Sequence, residues 1–524
     1  MTELWSDYLR PTLTLDQVLS RSATLHPHRL AVLDGQISRT FSELEAEVAT
    51  LSEKLRTHGI LPGDRVIVSV STGLSGIAIL YALSRVGAVS VPINEFWTAI
   101  EVESVVRRSQ ATYAIADTRL SEKAQPLPTA LRAIEPRQEP SLGILDNDLE
   151  LNWHGIALNR AANLAGAGEV AMLLFTSGST SAPKGALLTH HGLVGAAHYV
   201  ALAGEISPDD RSIHMLPHYH VGGVVDGILS VHLVGAASIP VRFNPERILE
   251  IFEQERATLL IGFDSMIDAI LSAPTYDRRR HPHWTTAMIT GSEQTYDRLI
   301  AAGVTRIVTG YAMTETSGLA ASTRPSQPPA ARRNAQWLPA PGVEIQVVDP
   351  DTGHRLSEGE SGELAIKGWS LFAGYIDGTD GRDENGFLRT GDRVKFGQDG
   401  TFTFEGRLKE MVKTGGENVA CHEVEDFLVA NIPSVRSAIV VGVPDPRWGQ
   451  AVVALVEFDP GTSLSESEVR KRCSGKLSAF KIPKHVLIVA PGTWPLMATG
   501  KVDRKALTEL ATKTLHSSLA SAKA

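Results

Sequence analysis

Cysteine is scarce. Cys421 and Cys473 are the only two in 524 residues. One pair of thiols cannot build a disulfide scaffold or a cysteine-rich zinc site, and it fits a reducing compartment. A basic excess is lacking too. Lys and Arg number 50 against 59 Asp and Glu, a net charge of −9. That leaves no surplus to neutralise a phosphate backbone and argues against nucleic-acid binding. Long apolar runs are missing as well. The most apolar long stretch, Gly222–Val241, contains Asp226 and His232, which makes it a poor membrane span. The opening residues MTELWSDYLR carry no apolar signal core, so a cytoplasmic protein without a membrane span is expected. No internal repeat or low-complexity tract is visible. The composition, 43% hydrophobic and 21% charged, suits a soluble globular protein, and the length suggests two to four domains.

The densest chemical signal lies between Leu173 and His190, LLFTSGSTSAPKGALLTH. The apolar run Ala171–Phe175 reads as a buried strand. Thr176, Ser177, Gly178, Ser179, Thr180 and Ser181 then form a polar loop, followed by Pro183, Lys184 and Gly185. Glycines let backbone N–H groups approach phosphate oxygens, hydroxyls donate to them, and a lysine offsets their charge. The order differs from a Walker loop, because Lys184 precedes Gly185. A nearby GAGEVA, Gly166–Ala171, matches a dinucleotide fingerprint but precedes a strand instead of following one, so it is set aside.

The flanking sequence predicts a helix-covered parallel sheet. Thr40 and Glu43 form a capping-box pattern, with Leu44, Val48, Leu51 and Leu55 at helical spacing. Asp64–Val70, Leu74–Gly87 and Ala88–Ile93 read as strand, helix and strand. Ala111–Asp117 repeats the strand pattern, and the proline-bearing segment Leu120–Ser141 reads as a surface connection. Three more apolar strands end on glycine: Thr258–Gly262, Ala287–Gly291 and Arg306–Gly310. Ligands of open α/β sheets sit beyond the carboxyl ends of strands, so Phe263, Ser292, Glu293 and Tyr311–Glu315 are site candidates. The glycine-punctuated second half predicts further strands and turns. Beyond a charged segment at Arg407–Glu410, helices and strands alternate as in a small α+β domain.

Taken together, these motifs resemble the acyl-adenylate-forming enzymes, the family of acyl-CoA synthetases, stand-alone adenylation domains and luciferase-like proteins, and most of all the acyl-CoA synthetases. Ser181 departs from the glycine usual there. The resemblance covers nearly the whole chain. It implies an α/β fold: a large N-terminal domain of several helix-covered sheets, residues 1–407, and a small α+β C-terminal domain, residues 408–524, joined by a hinge at Lys409. It also implies ATP, Mg2+ and coenzyme A. In GYAMTET (Gly310–Thr316), Tyr311 would stack on adenine, Thr314 would touch the α-phosphate and Glu315 would hold Mg2+, a hard cation that needs carboxylate oxygen. Gly291, Ser292, Glu293, Gly310, Ala312 and Met313 would line the nucleotide. Asp392 of RTGD would accept both ribose hydroxyls, with Arg407 beside it. Gly415 and Gly416 of KTGGEN would border a pantetheine tunnel, although Ala420, Cys421 and His422 replace the usual pattern after it. Lys501 of ATGKVDRKAL would be the catalytic lysine, stabilising charge as pyrophosphate leaves.

For the acid, the resemblance implies His220 as a gate near the carboxylate. It implies an acyl wall of Val221, Gly222, Gly223, Phe263, Met266, Ala312 and Met313. That wall is mostly apolar, so a hydrophobic carboxylic acid is expected. Asp226 could meet an amine or hydroxyl, and a plain polar helix position is the preferred reading. Asp264 stands where the family usually has proline nearby. His214, His218 and His220 invite a zinc test, but no cysteine or acidic partner lies at ligand spacing. Three rivals stay open: transfer of the acyl group to a carrier protein, release of the adenylate to a separate partner, and non-catalytic nucleotide binding. A homodimer is also open.

Overall fold

The computed structural model describes residues 13–95, 97, 99–117, 141–145, 149, 151–154, 169–176, 184–289, 292–408, 411–414, 417–445, 447–474, 476–477, 479–497 and 502–521. The expected surface connection at Leu120–Ser141 falls almost wholly outside them. The chain divides into two compact units, Met1–Ile345 with Ile366–Leu388, and Gln346–Ala365 with Arg389–Ala524.

The first unit is built on two large sheets. The seven-stranded sheet runs Leu151–His154, Ser141–Leu145, Tyr113–Asp117, Arg65–Ser69, Val89–Pro92, Val170–Thr176, Lys184–Thr189. Its centre is parallel, with Ile67 opposite Val91 and Ala114. Arg65–Ser69 and Val89–Pro92 are buried at every position, as in a parallel sheet covered on both faces. The helix Leu74–Arg85 crosses between two of them and is buried at nearly every position. The helix Phe41–Thr57 starts as its sequence predicts. The Glu43 amide donates to Thr40 Oγ1, and the Thr40 amide donates to Glu43 Oε2 at 2.8 Å. Its stripe Leu44, Val48, Leu51 and Leu55 is fully buried.

The nine-stranded sheet runs Leu338–Pro339, Gly318–Ser322, Arg306–Met313, Thr286–Ile289, Leu259–Gly262, Arg211–His214, Ala237–Pro240, Leu30–Asp34, Ile37–Thr40. Its five middle strands, Arg306–Met313 through Ala237–Pro240, are parallel. Gly262 lies opposite Ile289, and Ile289 opposite Thr309. The carboxyl ends of these strands therefore line up along one edge. The strand predicted to stop at Gly310 continues to Met313 and turns back as an antiparallel pair with Gly318–Ser322. Gly310 permits this, because a Cβ there would strike Leu319.

The second unit holds the bulk of a four-stranded sheet and, after it, a five-stranded one. In the latter, Val435–Asp445 pairs antiparallel with Gly449–Phe458, and His485–Ile488 adds in parallel. Side chains alternate to two faces. Val440, Val452, Ala454 and Val456 pack with Val424, Leu428, Val469 and Cys473 of the helices Cys421–Asn431 and Glu466–Cys473. Val441, Val443, Val453 and Leu455 pack with Leu507 and Ala511 of the helix Arg504–Ser521. Glu425 ties the two layers together. Its Oε1 accepts from the Val440 amide and from Arg504 Nη1, each at 2.6 Å. Burial opposes its charge, but His422 and Arg504 prevail and hold the carboxyl below the usual glutamate range.

Candidate active site

Four parallel strands of the nine-stranded sheet deliver candidate residues to one edge. Arg211–His214 leads into His214–His220, Leu259–Gly262 into Phe263 and Asp264, Thr286–Ile289 towards Ser292, and Arg306–Met313 into the turn Thr314–Thr316. This is where an open parallel sheet accepts a ligand.

The seven-stranded sheet contributes Lys184. Its strand, Lys184–Thr189, is edged by residues 373–376. The Ile376 amide donates to the Gly185 carbonyl and the Ala373 amide to the Leu187 carbonyl, both at 2.8 Å, while the Leu187 amide donates to Gly374 at 3.0 Å. This zipper places Tyr375 between two charged candidates. Lys184 Nζ sits over the Tyr375 ring, 5.1 Å from its centroid. The Tyr375 hydroxyl donates to Glu315 Oε1 at 2.9 Å. Burial and the Glu315 carboxylate together push the Tyr375 phenol well above the usual tyrosine range, so it stays a donor. The Phe372 amide donates to the Glu315 carbonyl at 2.9 Å. Glu315 is thus oriented through both side chain and backbone, and a carboxylate held in this way suits a hard cation. Sequence reasoning missed Tyr375. A single tyrosine in a glycine-rich stretch gives no signal, and its role depends on a bridge to Ala186 from far along the chain.

The turn carrying Thr314 and Glu315 is rigid. Thr316 Oγ1 donates to the Gly318 carbonyl at 2.8 Å and accepts from the Met313 amide at 3.2 Å. Ser317 follows in the left-handed region, φ 55°, which costs energy and needs the surrounding bonds to hold it. Tyr311 is buried, its ring 6.1 Å from that of Trp337. Ala312 is exposed and Met313 partly so. Ser292 caps the helix Glu293–Ala301, and its amide donates to Asp264 Oδ2 at 3.0 Å. Asp264 therefore joins the ends of two neighbouring strands. Glu293 forms an ion pair with Arg333 at the surface.

In the second unit, Asp392 and Arg407 face each other across an antiparallel pair. Arg407 Nε lies 3.2 Å from Asp392 Oδ1, with the carboxylate 3% exposed and the guanidinium 59%. Glu363 accepts from Arg389 Nε at 2.7 Å and from the Gly391 amide at 2.8 Å, fixing the turn before Asp392. Cys421 is buried. His422 lies 3.3 Å from Asp426 and 3.8 Å from Glu425. Burial opposes its protonation, but those carboxylates raise its pKa.

On the acid side, His220 precedes a short helix, Val221–Val224, which runs into a π-helical turn, Val225–Leu229. Such turns re-aim side chains and are frequent at functional sites. Val221 is buried, and Phe263 and Met266 are partly so. A Cβ at Gly223 would strike the Pro217 carbonyl, so this glycine makes room for backbone. A Cβ at Gly222 would lie 3.0 Å from Asp226 Oδ2 and 3.3 Å from Leu216 Cδ1. Asp226 is partly accessible, but one of its carboxylate oxygens is not. Its Oδ1 is buried with no hydrogen-bond partner among the described residues, and burial pushes its pKa up to about 7. No group of three or more His, Cys, Asp or Glu side chains among the described residues could hold a metal. Ser177, Gly178, Ser179, Thr180, Gly291, Lys409, Gly415, Gly416 and Lys501 lie outside the described residues. Thr176 is described only as the backbone end of its strand.

Comparison with known proteins agrees with this architecture. Residues 19–376 match the AMP-binding enzyme family, and residues 423–501 match the AMP-binding enzyme C-terminal domain. A putative acyl-CoA synthetase, YngI of Bacillus subtilis, is 29% identical over 95% of this chain and 96% of its own. A feruloyl-CoA synthase of Amycolatopsis is 30% identical over 89% and 93%. The ATP-bound crystal structure of MatB from Rhodopseudomonas palustris superposes with a TM-score of 0.83 at 27% identity, covering 95% of this chain and 99% of that one. The chain therefore belongs to the AMP-binding enzyme family, as an acyl-CoA synthetase-like member of the acyl-adenylate-forming enzymes.

Proposed function

We propose that the chain is an acid–CoA ligase for hydrophobic carboxylic acids. The acid attacks the α-phosphorus of ATP, giving acyl-adenylate and pyrophosphate, and the CoA thiol then displaces AMP to form the thioester. The observation that carries this reading is the Lys184–Tyr375–Glu315 arrangement, 5.1 Å and 2.9 Å across, at the end of a strand that borders a glycine- and hydroxyl-rich loop. Lys184 offsets phosphate charge, and Tyr375 fixes the carboxylate of Glu315. The chemistry of Glu315 fits Mg2+, which when bound would neutralise phosphate oxygens. Thr176–Thr180 supply further donors, and Thr314 contacts the α-phosphate. Tyr311 with Gly291, Ser292, Gly310, Ala312 and Met313 frames adenine. Asp392 and Arg407 hold the ribose. No covalent enzyme nucleophile is needed, since the adenylate is the activated acyl group.

His220 flanks the substrate carboxylate, and the wall beyond it is apolar at Val221, Phe263, Met266 and Ala312. Gly222→Leu places a branched side chain against Asp226 and Leu216. It should shift preference towards shorter acids with ATP affinity unchanged, as read by pyrophosphate release across an acid series. Collapse of ATP binding with acid preference unaltered would contradict this pocket.

Residues 408–524 act as a mobile domain that presents Lys501 for adenylation and, after turning at Lys409, admits pantetheine past Gly415 and Gly416. Hinge residues absorb such motions through φ/ψ changes, and proline fixes φ near −65°. Lys409→Pro should therefore retain pyrophosphate exchange while losing most single-turnover thioester formation. Equal damage to both steps would refute the alternation. A carrier protein remains a competing acceptor, and turnover with CoA against a phosphopantetheinyl carrier separates the two.

A further inference from the structure

Between Val221 and Leu233, every residue is buried except Gly222 and Asp226. They lie four residues apart, on one side of this helical stretch, and Tyr219, in the turn before the helix, is also partly accessible. Beside His220, this side carries two polar groups, the Tyr219 hydroxyl and the Asp226 carboxylate, and the Tyr219 hydroxyl also has no hydrogen-bond partner among the described residues. Gly222 carries no side chain, and one there would come within 3.0 Å of Asp226 Oδ2. The bare glycine thus leaves open the space beside the Asp226 carboxylate. Asp226 Oδ1 has no hydrogen-bond partner among the described residues. A carboxyl taken from water without a partner is costly, and a ligand that supplies the missing hydrogen bond recovers that cost. The other end of this turn is fixed, because the Ser230 hydroxyl donates to the Asp226 carbonyl at 2.7 Å and Val225 lies against Gly318.

Resting on the ligase reading above, we infer that Asp226 selects acids bearing a hydroxyl at the far end of the acyl group. Asp226 lies six residues beyond His220, with helical backbone from Val221 onwards, a rise of roughly 8–10 Å. A substrate whose carboxylate lies at His220 therefore meets Asp226 with its distal end, not at its α-carbon. A hydroxyl suits this wall, because it loses less hydration than an ammonium and can pair with the carboxyl in either protonation state.

The test is pyrophosphate release with matched acids: para-hydroxyphenylpropanoate against phenylpropanoate, and omega-hydroxyoctanoate against octanoate. The wild-type enzyme should favour the hydroxylated member of at least one pair by about tenfold or more in kcat/KM. Asp226→Leu should abolish or invert that ratio, and Asp226→Asn, which keeps an acceptor, should retain part of it. Equal or better use of the apolar member of both pairs by the wild type overturns the inference, whether or not the variants fold. So does a ratio that Asp226→Leu leaves unchanged. Pyrophosphate release with no acid at all would instead remove the ligase reading, a result distinct from release without discrimination.

Discussion

Glu315→Gln and Lys501→Ala should each slow acid-dependent pyrophosphate formation by about 10²–10³, the usual loss when one preorganised electrostatic stabiliser is removed. Their second half-reactions should differ. Glu315 accepts from Tyr375 at 2.9 Å, and its value lies in charge: glutamine keeps the shape and the acceptor oxygen but cannot hold a divalent cation as a carboxylate does. Raising Mg2+ should therefore restore part of the rate for Glu315→Gln and none for Lys501→Ala. Lys501→Ala should still convert supplied acyl-adenylate and CoA into thioester, since the role proposed for the lysine is to stabilise charge as pyrophosphate leaves. Near-normal pyrophosphate formation in both variants, measured by release over time, would contradict the assigned roles.

Acidification should destabilise the first unit steeply, well above the pH at which carboxylates titrate. Four buried histidines there are held neutral. His190, His214 and His232 are pushed down to about 4 by burial, and His218 well below its usual range by burial and by its neighbour His214, 5.1 Å away between ring centroids. His232 Nε2 donates to the Ala31 carbonyl at 3.1 Å, so the neutral ring accepts from the Tyr81 hydroxyl at Nδ1, 2.8 Å away. Unfolding frees each ring to bind a proton near pH 6.5, so the unfolded chain binds more protons and stability falls as pH drops from about 6.5 to about 4. Each such group contributes about 1.4 kcal/mol per pH unit, and four together up to about 5 kcal/mol per unit. Urea unfolding at pH 7 and pH 5 should show a large loss. His232→Gln should flatten the slope by one proton's worth. Equal stability at the two pH values would contradict the burial-based account.

Local signals in the sequence announced much of the fold. Thr40 and Glu43 form the expected cap, and the strand–helix–strand unit spans Arg65–Pro92. Glycines after three strands pointed to one sheet edge, and the strands' carboxyl ends do line up there, although Gly310 sits within a strand because close pairing with Leu319 demands it. What depends on distant contacts was not legible. Tyr375 acquires its place through a bridge to Ala186. Asp226 lies inside a π-helical turn, Val225–Leu229, which no local sequence pattern announces. Asp264 looked anomalous by family pattern, and its hydrogen bond from the Ser292 amide joins segments that no local pattern links.

The central claim is a two-step ligase, and one experiment tests it most directly. The purified chain is incubated with Mg·ATP, CoA and a panel of hydrophobic acids, and pyrophosphate, AMP and acyl-CoA are measured together. The account predicts that pyrophosphate and AMP form only when an acid is present and rise in equal amounts with the acyl-CoA thioester. Acyl-adenylate accumulating in the presence of CoA, or no acid-dependent pyrophosphate from any acid, would contradict it.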